Sequence, residues 1–281
     1  MTMTLEQDLT TALATFVAQR SAGHPVLVAS DFDGVLAPLL DDPSASAPTA
    51  AAATALERLA ALPQADVRLA LVSGRDLATL AQLSGAPAGT SLVGSHGAEQ
   101  GHVVAASVDP GAGEATADGP STSVERHPFA LTPDERTTLD GVRAGLEAVA
   151  AEAEGAWVED KPSAAVLHTR RAEPGAAERA GDSARAVGAR FGAHTMTGKD
   201  VVEIAVLDTS KGLALTRLRD ELGAAAVLYL GDDVTDERAF EVLAPTDVTV
   251  KVGAGETAAR FRVASVDEAA QVLATVADLL S

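Results

Sequence analysis

Short apolar runs recur near both ends of the chain, and each ends in polar residues or a glycine-containing turn. The five clearest runs are VLVAS at 26–30, VRLALV at 67–72, TSLVGS at 90–95, AAAVLYL at 224–230 and VTVKV at 248–252. They are apolar along most of their length instead of alternating, which is typical of strands that are buried on both faces. We therefore predict parallel strands at these positions.

Helical patterns separate the predicted strands. The clearest lie at 51–62, 75–83, 210–222 and 235–243. Strands that alternate with helices predict an α/β fold with a doubly wound, Rossmann-like parallel sheet. Because the polar turns all follow strands, they are expected at the carboxyl edge of the sheet, where ligands bind in open α/β folds.

The middle of the chain has a different pattern. Residues 105–123 are rich in small and turn-forming residues, and a helix is predicted from Thr132 with Pro133 at its first position. Residues 157–170 predict two strands around a Lys-Pro-Ser turn. Their half-exposed pattern is typical of an antiparallel sheet with one face open to solvent. We therefore predict an inserted α/β cap domain at 104–198, which divides the catalytic core domain into 1–103 and 199–281.

Composition narrows the possible partners. The chain has 281 residues, no cysteine and a formal net charge of −19. This charge disfavours nucleic acids and anionic membranes as partners, and it means that an anionic substrate needs local cations or a metal ion to attract it. The N-terminus has the pattern of an amphipathic helix and not of a signal peptide, and no apolar run is long enough for a membrane span. We expect a cytoplasmic protein, and a monomer.

Charged and hydroxyl side chains follow the predicted strands. The candidates for chemistry are Asp31 and Asp33 in DFDG, Ser73 and Arg75 in SGRD, Lys211 in TSKG, and Asp232, Asp233 and Asp236 in GDDVTDE. A cluster of carboxylates at a sheet edge needs a positive charge, and hard oxygen ligands suit Mg²⁺. One aspartate of DFDG could attack phosphorus to form an aspartyl phosphate, and the other could act as the general acid and base.

Each of these motifs has a simpler interpretation when it is taken alone. DFDG could be a capped turn, Ser73 could cap the helix that follows, GDDVTDE could be a solvated helix start, and Lys211 could be an exposed lysine. The order of the four motifs, each after a suitable element, favours the chemical interpretation over these alternatives.

In this order the motifs resemble those of haloacid dehalogenase-superfamily phosphatases. More narrowly, GSHGAE at 94–99, VEDKPSAAVLHTR at 158–170 and GKDVVEI at 198–204 resemble the trehalose-6-phosphate phosphatase family. The resemblance implies that Asp31 is the nucleophile and a metal ligand, and that Asp33 is the general acid and base with its backbone carbonyl on the metal. It also implies that Asp232 completes the Mg²⁺ site, with Asp233 as a further ligand or support and Asp236 nearby.

The resemblance also implies a set of groups that hold the substrate. Ser73 and Lys211 match groups that hold the phosphate, and Arg75 matches a residue near the phosphate or the sugar. The matches to sugar-binding positions are Glu159, Lys161, Arg170, Lys199 and Glu203. A surface ion pair remains the alternative for Glu159 and Lys161, and the roles of His96 and His168 stay open.

The activity that the resemblance implies is Mg²⁺-dependent hydrolysis of trehalose 6-phosphate to trehalose and phosphate through an aspartyl phosphate. Phosphatases of sucrose phosphate or mannosyl-phosphoglycerate, and a phosphomutase, keep the same chemistry and remain open. A catalytically inactive sugar-phosphate-binding protein is the alternative from another class. The segment 101–123 carries no matching motif residues. Pro162 could alter the shape of the turn that contains Lys161.

Overall fold

The computed structural model describes residues 5–105, 122–127, 131–198, 200–206 and 209–281. The chain forms two compact units. One comprises Met1–His127 together with Thr209–Ser281, and the other comprises Pro128–Asp208. The second unit is therefore an insertion in the sequence of the first.

The first unit contains an eight-stranded sheet. In chain order its strands are β1 Val26–Ser30, β2 Val67–Val72, β3 Ser91–Gly94, β4 Glu99–Ala105, β5 Thr122–Arg126, β10 Ala226–Gly231, β11 Val248–Val252 and β12 Phe261–Val263. Their spatial order is β12-β11-β10-β1-β2-β3-β4-β5. The first six strands in this order pair in parallel, whereas β4 and β5 add an antiparallel edge. The predicted parallel α/β sheet is confirmed.

Helices cover both faces of this sheet. They are α1 Gln7–Val17, α2 Ala50–Ala60, α3 Leu77–Ser84, α6 Lys211–Leu222, α7 Val234–Val242 and α8 Val266–Leu280. Alternate side chains of β1 enter different cores: Val26 and Val28 pack with α1, α2, α3 and α8, whereas Leu27 and Ala29 pack with α6 and α7. This two-sided burial explains why the strand sequences are continuously apolar.

The second unit is an antiparallel sheet with helices on one face. It contains α4 Pro133–Ala151, β6 Trp157–Asp160, β7 Ala164–His168, α5 Pro174–Phe191, β8 His194–Gly198 and β9 Val201–Ala205. The strand order is β6-β7-β9-β8. Thr132 caps α4 through a capping box with Glu135, and Leu167 and Val202 pack in a core with residues of both helices.

The predicted bounds of the inserted domain, 104 and 198, differ from those of the second unit. Residues 122–126 form β5, which pairs with β4 in the sheet of the first unit. At the other end, β9 pairs between β7 and β8 and so belongs to the second unit. The predicted loop at 105–123 falls mostly outside the described residues.

The helices of the described ranges do not have the character of membrane spans. None of them is both long enough and apolar enough to cross a bilayer.

Candidate active site

Chemically active side chains meet where three neighbouring parallel strands end. Asp31 follows β1, Ser73 follows β2 and Asp232 follows β10, and β1 pairs with both of the other strands. A pocket of about 400 Å³ opens at this edge. Its lining residues are Asp31, Asp33, Leu39, Ser73, Gly74, Arg75, His96, Lys211, Asp232 and Asp233. The structure therefore brings together all of the predicted catalytic residues.

Asp31 and Lys211 form a buried ion pair in this pocket. Lys211 Nζ lies 2.6 Å from Asp31 Oδ2, and Asp31 Oδ1 accepts the Phe32 N–H at 2.6 Å. Burial raises the pKa of the Asp31 carboxyl well above its usual value, and Lys211 opposes that rise. For Lys211 the balance is reversed: burial alone would lower its pKa, but Asp31 and Asp236 raise it. Lys211 is therefore a buried cation of the site and not an exposed lysine.

Asp236 is the fully buried centre of a hydrogen-bond network. Its Oδ1 accepts from Lys211 Nζ at 2.8 Å and from the Tyr229 hydroxyl at 2.5 Å. Its Oδ2 accepts the backbone N–H groups of Asp232 at 2.8 Å and Asp233 at 3.0 Å. Because two donors approach each oxygen, both lone pairs of each are engaged. Asp236 thus fixes the position of Lys211 and of the turn that carries Asp232.

The donor set fits a hard divalent cation. Carboxylate oxygens of Asp31, Asp232 and Asp236 lie within 4.8 Å of one another. Within this group of three, Asp236 is saturated by its hydrogen bonds, so Asp31 and Asp232 are the members with capacity for a metal. Burial, together with Asp236 and Asp233, raises the pKa of Asp232 to about 6. A divalent cation bound here would counter this effect, because it favours the ionised carboxylate.

A glycine permits the approach of Asp232 to the first motif. Gly34 has a φ of 75°, and a Cβ at this position would lie 2.1 Å from Asp232 Oδ2. Glycine is therefore required at position 34 for two reasons: it adopts the positive φ without strain, and it leaves room for the Asp232 carboxylate.

Asp33 is held by Arg75 and Ser46. Arg75 Nε donates to Asp33 Oδ2 at 2.5 Å and Nη2 donates to Oδ1 at 2.8 Å, a bidentate pair. The Ser46 hydroxyl donates to Asp33 Oδ1 at 3.0 Å. The hydrogen bonds to Asp33 raise the pKa of Arg75. The carboxyl group of Asp33 is therefore oriented by Arg75 and Ser46, separate from the cluster around Asp236.

The structure decides two of the simpler interpretations. Asp76 caps α3 by accepting the Thr79 N–H at 2.9 Å, so the buried Ser73 is not the cap of that helix. Asp233, which is also predicted as a metal ligand, caps α7: its Oδ1 accepts the N–H groups of Thr235 and Asp236. Asp236, and not Asp233, joins the carboxylate cluster, because the first turn of α7 directs Asp236 back beneath β10.

Comparison with known proteins decides the family. A family model described as trehalose-phosphatase matches residues 29–271, which include every pocket residue named above. The chain belongs to the trehalose-phosphatase family. A trehalose-phosphate phosphatase of Mycobacterium marinum is 36% identical over 265 residues, covering 89% of this chain, and one of Mycobacterium ulcerans is 34% identical over 262 residues. This chain spans only 61% of the length of each.

A solved structure is similar to this fold. A trehalose-6-phosphate phosphatase from Aspergillus fumigatus has a TM-score of 0.66, with 95% of this chain and 97% of that chain covered. At 24% sequence identity the likeness shows that the trehalose-phosphatase fold is shared.

The predicted sugar-binding residues lie in the sequence of the second unit. Lys161 Nζ is 2.7 Å from Glu203 Oε2, and His168 Nε2 is 2.7 Å from Glu159 Oε2. Glu159 and Glu203 flank Val166 across β6, β7 and β9, on the sheet face opposite the helices. The structure thus brings four polar side chains together on one face of this sheet.

Two predicted sugar-binding residues are not part of this group. Arg170 is exposed after β7 and lines a different pocket, of about 460 Å³, with residues of α5 and with Val202 of the helix-facing core. The lining of that pocket includes neither Lys161 nor Glu203. Lys199 lies outside the described residues.

Sequence reasoning missed several groups that build the site. Ser46, Tyr229 and Lys251 all contact a motif residue, and none of them was expected to do so. A usable signal existed for two of them. Tyr229 is the one tyrosine of the chain, and Lys251 is a lysine inside an apolar strand; both need a polar partner when buried. His96, whose role the sequence left open, lines the pocket with a left-handed φ of 55°.

Proposed function

We propose that this protein is a Mg²⁺-dependent phosphatase that hydrolyses trehalose 6-phosphate to trehalose and phosphate through an aspartyl phosphate on Asp31. The observation that carries the proposal is the convergence of Asp31, Asp33, Ser73, Lys211 and Asp232 on one pocket at the sheet edge. Membership of the trehalose-phosphatase family supports the choice of sugar.

Asp31 and Asp232 would hold the Mg²⁺ ion, with the backbone carbonyl of Asp33 as a further ligand. When bound, the ion supplies positive charge that offsets the repulsion between the Asp31 carboxylate and the phosphate dianion. Asp31 attacks phosphorus, so that a bond forms between its carboxylate oxygen and phosphorus while the bond from phosphorus to the sugar oxygen breaks. Asp33 donates the proton that the leaving sugar oxygen requires.

The second step regenerates the enzyme. Asp33, now ionised, removes a proton from water as that water attacks phosphorus, and the bond between phosphorus and Asp31 breaks. Lys211 stabilises the carboxylate that leaves, since its ammonium group already lies 2.6 Å from Asp31 Oδ2. Ser73 donates a hydrogen bond to a phosphate oxygen. Asp33 can transfer a proton in either step only when Arg75 releases it. The substrate phosphate competes with Asp33 for the guanidinium group of Arg75 and so promotes this release.

Residues of the second unit are proposed to bind the disaccharide. Charged side chains can contact two neighbouring hydroxyl groups at once, and the group formed by Glu159, Lys161 and Glu203 presents both signs of charge. Arg170 and Lys199 remain in this proposal on the strength of the sequence alone. Lysine and arginine side chains here would also offset the net charge of −19 near an anionic substrate.

A panel of sugar phosphates tests the reaction class and the sugar together. Phosphate release would be measured with trehalose 6-phosphate, sucrose 6-phosphate, mannosyl-phosphoglycerate and glucose 6-phosphate, each with Mg²⁺ and with EDTA. We expect the highest kcat/KM for trehalose 6-phosphate, and loss of release in EDTA. A higher kcat/KM for another sugar phosphate would mean that trehalose 6-phosphate is not the preferred substrate. Binding of a sugar phosphate without release of phosphate would favour a catalytically inactive sugar-phosphate-binding protein.

A further inference from the structure

Lys251 is a buried cation that the proposed mechanism does not use. It lies near the end of β11 opposite Gly231, and its side chain is 6% exposed. A lysine is almost never buried to this extent without a specific partner. Its Nζ donates to the backbone carbonyl of Asp232 at 2.5 Å, so that its partner belongs to the motif that supplies the proposed metal ligand.

Glu237 holds the other side of this lysine. Its Oε1 lies 3.1 Å from Lys251 Nζ. Its Oε2 accepts the Ala258 N–H at 2.8 Å and the Thr257 hydroxyl at 3.1 Å. Glu237 is thus fixed by the loop before β12, and it fixes the ammonium group of Lys251 in turn.

The backbone of Asp232 is therefore restrained from both sides. Its N–H donates to Asp236 Oδ2 at 2.8 Å, and its carbonyl accepts from Lys251. These two contacts set the orientation of the peptide groups on either side of the Asp232 Cα, and hence the direction of its carboxylate. A metal ligand whose backbone is restrained in this way loses less freedom when it binds the ion.

We propose that Lys251 and Glu237 are positioning residues that orient the carboxylate of Asp232 toward Asp31 for metal binding. The inference rests on the proposed metal site and extends it to a pair of residues on α7 and β11. It differs from a general contribution to stability, because the contact is made to the backbone of one ligand and not to the core at large.

The chain offers a matched control for this distinction. Arg219 pairs with the fully buried Asp247 at 2.8 Å, and Asp247 also accepts the N–H groups of Val227 and Ala244. These residues precede or begin β10 and β11, whereas Lys251 and Asp232 lie at the ends of the same strands. Removing Arg219 also breaks a salt bridge with a buried carboxylate, but at the opposite edge of the sheet.

The test measures the binding of Mg²⁺ alone by titration calorimetry, with the metal-free protein and no substrate. We expect Lys251→Met to raise the dissociation constant for Mg²⁺ about tenfold or more, in the range that residues behind metal ligands usually show. Lys251→Arg should restore part of the affinity. Arg219→Met should lower the unfolding midpoint and leave the Mg²⁺ affinity of the folded protein unchanged.

Kinetics provide a second readout. If Lys251 only positions Asp232, the Mg²⁺ concentration for half-maximal rate rises in Lys251→Met, while KM for trehalose 6-phosphate and the rate at saturating Mg²⁺ change only a few-fold. Equal Mg²⁺ affinity in Lys251→Met and the wild-type protein would overturn the inference. If Lys251→Met does not fold, Glu237→Gln makes the same test, and unchanged affinity in it would be equally decisive. A wild-type protein that binds no Mg²⁺ would instead contradict the proposed function, and the positioning role with it.

Discussion

Lys211 and Asp31 are 180 positions apart in the chain, yet their charged atoms lie 2.6 Å apart in the interior of the protein. The lysine begins α6 and the aspartate follows β1, so the contact depends on the parallel sheet being assembled correctly. The same ammonium group also binds Asp236. Before any metal binds, Lys211 thus supplies a positive charge in direct contact with two members of the acidic cluster.

Replacing Lys211 by Met should destabilise the protein markedly at neutral pH. The substitution leaves Asp31 and Asp236 buried without their nearest cation, and breaking a buried ion pair in this way costs about 3–5 kcal/mol. Denaturant unfolding measures the difference. Arg58→Met is the control, because Arg58 and Asp278 form an exposed pair worth at most about 1 kcal/mol. Equal stability of the two variants would mean that Lys211 does not neutralise the cluster.

Replacing Gly34 by Ala should damage the metal site directly. The new Cβ would overlap with the Asp232 carboxylate, which must then move away from Asp31. Gly23→Ala is the matched control, since Gly23 has a φ of 82° but no atom within 4 Å of its would-be Cβ. Both variants should lose about 1 kcal/mol of stability from the positive φ. Only Gly34→Ala should also lose Mg²⁺ affinity, and a similar loss in Gly23→Ala would argue against the close-packing explanation.

Asp33→Asn should affect substrates according to their leaving groups. An alkoxide leaving group such as the sugar oxygen needs a proton from Asp33, whereas nitrophenolate leaves without one. General acid catalysis is commonly worth about 10²–10⁴-fold. We expect a loss of that size for formation of the aspartyl phosphate from trehalose 6-phosphate, and a smaller loss with p-nitrophenyl phosphate. The initial burst of leaving group measures this step, and equal losses with both substrates would assign the acid to another residue.

The stability of the metal-free protein should carry a pH signature of Asp232. Burial and neighbouring acids raise the pKa of Asp232 to about 6 in the folded state, above its usual value. The folded state therefore binds more protons than the unfolded state between about pH 4 and 6, and its unfolding free energy falls as pH rises through this window. After allowance for solvent screening at a half-buried carboxyl, the Asp232 contribution is about 1–2 kcal/mol.

Asp232→Asn provides the comparison for this pH effect, because the amide does not ionise. The variant should lose less stability than the wild-type protein between pH 4 and 6, by the same 1–2 kcal/mol or so. Thermal or denaturant unfolding in EDTA at several pH values measures this. Parallel curves for the two proteins would show that the folded pKa of Asp232 is not raised.

The strands could be predicted more readily than their assembly. Continuous apolar runs locate β1 and β2 because those strands are buried on both faces. The antiparallel edge was missed, since β5 is an exposed edge strand with little apolar content. The alternation in β9 does not say which sheet the strand joins, and the predicted boundary at 198 separated it from the strands with which it pairs. Pairing partners are a tertiary property that local patterns do not contain.

In the site, too, the sequence identified functional residues more readily than it placed them in space. Motif order was sufficient to bring Asp31, Ser73 and Lys211 to one pocket. It could not distinguish Asp233 from Asp236, because one caps α7 and the other lies in its first turn, and only the contacts of the folded protein separate their roles. Arg170 was grouped with Lys161 through the resemblance of 158–170 to the family motif, yet it lines a pocket that does not include Lys161.

Chemical trapping of the phosphoenzyme tests the central claim most directly. The protein would be mixed with trehalose 6-phosphate and Mg²⁺, quenched in acid after milliseconds, reduced with borohydride to convert an acyl phosphate to an alcohol, and mapped by mass spectrometry. The account predicts a reduced side chain at position 31, dependent on both substrate and Mg²⁺. Release of phosphate with Asp31 unmodified at every time point, or with full activity in Asp31→Asn, would contradict it.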